Sequence, residues 1–213
     1  TVLLLGICIV TAFVSWTTIT VNPELGTILF FVGIIGSLVA AISMWFIDKS
    51  LAIYIGPIYA AFEGLVLGPF SGLMEAYYPG IIVQAVGLTF GLFFTMLVIY
   101  RARIIRPSEN LAIGLASAMG AVMLIYLTSF VLALTSPYQI PYIHGNGIIG
   151  IGFSLLVIGI GALTFVMDFD FIEKGVEQGA PKNLEWYAAF GLMITLVWLY
   201  IEILRLLAKL RSR

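Results

Sequence analysis

Seven long apolar runs, each stopped by a short polar or turn-forming break, constrain this chain more than any other feature. They cover residues 2–21, 27–47, 51–74, 79–100, 111–134, 148–167 and 184–207. About 20 apolar residues carry an α-helix across the hydrocarbon of a bilayer. Lipid offers the backbone no water to bond, so only helices and closed barrels span it. The runs lack the polar–apolar alternation of barrel strands. The chain therefore reads as all-α: a polytopic integral membrane protein with seven transmembrane helices, forming one domain over residues 1–213. Composition agrees, with 62% hydrophobic and 10% charged residues, where a soluble domain carries roughly 25% charged.

The breaks have their own chemistry. Asn22-Pro23-Glu24-Leu25-Gly26 is a turn-forming cluster, and Asp48-Lys49-Ser50 stops the second run. A basic loop occupies 101–110, and an uncharged loop rich in Tyr and Pro occupies 136–147. Gly33, Gly36, Ala40 and Ala41 allow close packing of the second helix. Seven crossings put Lys49, Arg101, Arg103, Arg106, Lys174 and Lys182 on one side, which the positive-inside rule makes cytoplasmic. The basic tail, with Arg205, Lys209, Arg211 and Arg213, falls on the other side and argues against this. The sequence opens at Thr1 inside an apolar run, which leaves room for a preceding tail, so targeting is not read from that end.

Several function classes fall away. A net charge of −1 provides no basic field for nucleic acid. Cys8 is the only cysteine and sits in an apolar run, where it packs like a small hydrophobe. There is no His/Cys metal spacing, no phosphate-cradling glycine loop and no nucleophile motif. Neither enzymatic chemistry nor a resident cofactor is expected.

The remaining signal is carried by acids in or beside the membrane, which are costly and by default mark function. Glu63 lies about 18 Å along the third helix at 1.5 Å per residue. It reads either as a proton or cation ligand or as a structural clasp bonded to a neighbouring helix. The stretch Met167-Asp168-Phe169-Asp170-Phe171-Ile172-Glu173-Lys174 follows the sixth run. Helical spacing places Asp170, Glu173, Lys174 and Glu177 on one wet face. Asp168 falls with Thr164, Phe165, Phe171 and Ile172, and is expected to point into protein. In the seventh helix Ala188, Gly191, Thr195, Trp198, Glu202, Arg205 and Lys209 form a small and polar stripe, expected to face protein and to make this helix central. Glu202 and Arg205 are spaced to pair, within the protein or as a snorkelling interfacial cluster. His144, the only histidine, reads as an incidental loop residue.

Order and spacing of these pieces resemble the Bax inhibitor family (transmembrane BAX inhibitor motif proteins), most nearly its bacterial, YccA-related branch. The resemblance rests on Tyr59-Ala60, Glu63-Gly64 and Leu67-Gly68, on Gln84-Ala85, Thr89 and Phe93, and on Asp168 to Lys174 followed by 199–207. It implies a seven-helix fold with a central last helix, and a location in the bacterial inner membrane. It also implies a pH-sensitive calcium leak, with Ca2+ only a transient guest, and suppression of cell death by eukaryotic members. In the better understood members two aspartates on the last two helices form a proton-sensitive pair. Asp168 matches the first, with Asp170 as a near alternative. The second position, counted back from Arg205, holds Thr195. Glu63, Glu202 or Asp170 could supply the missing carboxylate. The alternative is a non-conducting interaction protein that modulates a membrane protease or another membrane complex, with 136–147 as a docking surface. The bilayer and other membrane proteins are the expected partners.

Overall fold

The computed structural model describes residues 1–46, 48–135 and 145–212. Among these, seven helices are long and apolar enough to cross a bilayer, and there is no strand. They are α1 (Val2–Val21), α2 (Pro23–Phe46), α3 (Ala52–Tyr77), α4 (Ile81–Arg101), α5 (Glu109–Thr135), α6 (Ile148–Glu177) and α7 (Leu184–Arg211). A 3₁₀ turn, Lys49–Leu51, leads into α3. Most ends fall within a few residues of the apolar runs, because the polar breaks also carry the caps.

Three ends differ. α2 begins at Pro23, directly after Asn22, so the turn cluster is the first turn of a helix. Asn22 Oδ1 accepts the Leu25 amide at 3.2 Å, and proline fits the first helical position because it has no N–H to leave unbonded. α6 continues through the acidic stretch to Glu177. It ends with Gly179 in the left-handed region (φ 61°) and the Ala180 amide on the Gly175 carbonyl. α7 runs a turn further than the apolar run, so Lys209 is helical.

The chain divides into two compact units. The first is Thr1–Ile82 with Phe171–Ile194, and the second is Val83–Asp170 with the chain from Thr195 onward. In the first unit α3 packs against both α1 and α2. Gly64, Gly68 and Gly72, four apart and so on one face, lie against α1. A Cβ at Gly64 would collide with Thr11 Oγ1 and the Cys8 carbonyl, and one at Gly68 with the Ala12 carbonyl. Only glycine lets the backbones come this close. Toward α2 the relation reverses: Phe62 and Leu65 of α3 fill the space beside Gly36 and Gly33.

Pro69 interrupts the hydrogen-bond ladder of α3. It has no N–H to give the carbonyl four residues earlier, which belongs to Leu65. Ser15 Oγ of α1 donates to that carbonyl at 2.9 Å. The orphan acceptor created by proline thus becomes an inter-helix bond.

In the second unit the ring of Phe93 from α4 meets those of Phe165 and Phe169 from α6 edge-on, with centroids 5.3 and 5.6 Å apart. Leu199 of α7 lies over Gly161 of α6. α7 is the most enclosed of the seven helices, with 56% of its most apolar window buried against 11% in α5. Its burial is not confined to the predicted stripe. Within the second unit Leu196, Val197, Leu199, Ile203 and Leu204 are buried as well as Thr195 and Glu202.

Candidate functional site

The second unit gathers the polar side chains of α7 with those of α5 and α6. Thr195 is buried, and its Oγ1 donates to Asp168 Oδ2 at 2.7 Å. α6 sets the Asp168 carboxylate one turn beyond Thr164, whose own Oγ1 bonds the Ile160 carbonyl within the helix. The position where the family's second aspartate was expected is thus bonded directly to Asp168, with a hydroxyl on one side and a carboxylate on the other. The threonine can donate whether or not the carboxyl is ionised.

Glu202 stands two turns further along α7 and is 1% exposed. Its Oε1 accepts the Tyr126 O–H of α5 and Arg205 Nη1, both at 2.8 Å. Arg205 Nη1 also donates to the Tyr126 oxygen at 2.7 Å, and its guanidinium lies 4.9 Å from the centre of the tyrosine ring. Oε2 of Glu202 is buried without a hydrogen-bond partner. Glu202 is therefore enclosed by protein, while Arg205 keeps 32% of its side chain exposed. One turn on, Lys209 is 5% exposed. Its Nζ donates to the Gly150 carbonyl and to Ser154 Oγ, both at 2.9 Å, near the start of α6.

One expectation needs correction. Asp170 does not lie on a wet face; it is 9% exposed. The buried stripe of α6 runs through Gly161, Ala162, Phe165, Val166, Phe169 and Asp170, and spacing along one helix does not show which stripe its neighbours cover. Asp168, expected to point into protein, is half-buried and accepts the hydroxyl of the buried Thr195 with one oxygen. Glu63 belongs to the first unit, where Ser37 of α2 and Tyr59 of α3 hydrogen-bond to it. His144 and most of the 136–147 loop lie outside the described residues.

Sequence reasoning passed over Tyr126, Ser154, Ser15 and Ser37. Tyr126 had a usable signal: it carries a hydroxyl deep in a helix that is otherwise almost wholly apolar, and such a group needs a partner. The serines had none, since a serine in a membrane helix can bond its own backbone. Among the described residues no group of three His, Cys, Asp or Glu side chains is placed to hold a metal ion.

Apolar spans outside and acids, hydroxyls and basic groups bonded to one another inside define a multi-pass integral membrane protein. A family model described as Bax inhibitor 1 like matches residues 1–212. The chain belongs to that family. Comparisons with curated proteins and with solved structures give no match.

Proposed function

We propose that this protein is a proton-sensitive cation leak of the Bax inhibitor type, with the Asp168–Thr195 bond as the latch of its closed state. The observation that carries the reading is the 2.7 Å contact between Thr195 Oγ1 and Asp168 Oδ2. It joins the last two helices at the positions where the family resemblance calls for two carboxylates. A hydroxyl replaces one of them, so the latch closes without a shared proton. An ionised Asp168 accepts the Thr195 hydroxyl in a charge-assisted bond, which is the stronger kind. Adding a proton to Asp168 removes that charge and weakens the latch. Flux is therefore expected to rise as the pH falls.

The test is calcium entry into liposomes holding the full chain, followed across roughly pH 5 to 8. Wild type leaks slowly at the alkaline end and faster in acid. Thr195→Val removes the donor, a loss of about 1.5 kcal/mol, and raises alkaline flux by roughly tenfold. Asp168→Asn removes the charge and flattens the pH dependence. Membranes that stay tight at every pH, with a membrane protein co-purifying, would instead support the non-conducting partner role. Flux that ignores both substitutions would sink the latch.

A further inference from the structure

We propose that Glu63 is a second proton-binding site of this protein, a carboxyl that keeps its proton at neutral pH among the spans of the first unit. Charge balance is the first argument. α1, α2 and α3 contain no basic residue. The basic residues of the first unit, Lys49, Lys174 and Lys182, are all exposed, in or beside the loops. Glu63 stands midway between Lys49 and Tyr77, the ends of its apolar segment, so each end is about 20 Å away. What the protein leaves uncovered of this half-buried side chain faces hydrocarbon. A carboxylate ionised there would have no counter-charge, and a group so placed takes a proton instead. Asp168 and its latch belong to the second unit, so this site does not rest on the leak reading.

The surroundings then choose the ligand. Ser37 of α2 and Tyr59 of α3 hydrogen-bond to Glu63. Ser37 Oγ also donates to the Ile34 carbonyl at 3.2 Å. It can therefore accept from a protonated Glu63 while Tyr59 donates to the other carboxyl oxygen, and every hydrogen in that chain has an acceptor. The titratable groups that face Glu63 are Tyr59 on its own helix and Cys8 of α1. α2 presents Ser37, and from α7 the ring of Phe190 packs edge-on against Tyr59, with centroids 5.0 Å apart. None of these is a cation. A metal ion fits less well than a proton, because hard cations take about six oxygen ligands or more. One carboxyl and two hydroxyls fall short of that, and among the described residues no group of three His, Cys, Asp or Glu side chains is placed to make up the number.

The test treats the full chain in phosphatidylcholine liposomes with dicyclohexylcarbodiimide, an apolar reagent that arrives through the hydrocarbon. The acid's proton passes to a carbodiimide nitrogen and its carboxylate oxygen bonds the central carbon, so a protonated carboxyl is required. Mass spectrometry of the peptides reads the adduct. Glu63 is expected to be labelled equally, within about twofold, at about pH 5 and pH 7, whereas an acid titrating in the ordinary carboxylate range would lose roughly a hundredfold between them. Glu63→Gln should remove that adduct and, in infrared spectra at neutral pH, the carbonyl stretch of one protonated carboxyl. Asp168→Asn should leave the Glu63 adduct unchanged. A hundredfold fall in labelling overturns the proposal, and so does loss of the Glu63 adduct in Asp168→Asn, which would make the two acids one site. If the reagent does not reach Glu63, the infrared band decides, and a spectrum indifferent to Glu63→Gln overturns the proposal. Protection by sodium chloride but not by choline chloride at constant pH assigns the site to a metal cation and overturns the proton.

Discussion

In the first unit α3 meets its neighbours through glycine, whereas in the second α7 meets its neighbours through Thr195, Glu202 and Lys209. Gly64 and Gly68 bring α3 onto the backbone of α1, where dispersion and close fit replace the hydrophobic drive that lipid cannot supply. The second unit uses bonds between side chains, several of them charged. Such bonds are modest in strength and can be exchanged for others, while overlapping backbones cannot. The contrast teaches that close backbone fit holds the first unit and exchangeable side-chain bonds hold the second, where the proposed latch lies.

Substitutions can break or sharpen this contrast. The largest effect is expected from Gly64→Val, whose side chain has nowhere to go between Thr11 and Cys8. A loss of about 3 kcal/mol or more follows from such overpacking, seen as aggregation on gel filtration or a sharply lower unfolding midpoint. Tyr126→Phe is next. It takes one donor from Glu202 and one acceptor from Arg205, for about 1.5 kcal/mol, with the fold retained. Ser15→Ala tests the boundary between the two modes, since it removes a polar tie from the first unit and leaves the Leu65 carbonyl to water or lipid. A cost of about 1 kcal/mol is expected in detergent unfolding; a cost matching Gly64→Val would mean that hydrogen bonding governs both units. The smallest effect is a gain. Arg103 sits at φ 54°, where the Ile104 amide closes α4 onto the Ile99 carbonyl. Glycine adopts that conformation freely, so Arg103→Gly should stabilise by about 0.5 kcal/mol.

Much of this was legible in advance. The spans follow from uninterrupted apolar residues, and their ends from caps such as Ser108, whose Oγ accepts the Leu111 amide. Counting along α7 marked Thr195 as the place of the family's second aspartate, but not as the hydroxyl that bonds Asp168. What could not be read depends on which surfaces meet. Asp170 alternates with apolar residues in the same way whether its stripe is covered or wet. Gly64 and Gly68 were visible as parts of a family pattern, but not as the places where α1 touches α3. Lys209 stood in a stripe that could equally have snorkelled into water, and only the position of Gly150 and Ser154 decides otherwise.

The inward turn of Arg205 and Lys209 bears on how the chain sits in its bilayer. Positive charge orients a membrane protein through residues left free beside the spans, and these two are engaged within the second unit. Lys49, Arg101, Arg103, Arg106, Lys174 and Lys182, in or beside the loops, are exposed. The positive-inside rule then predicts that these loops face the cytoplasm, which labelling of single cysteines from either side of the membrane checks.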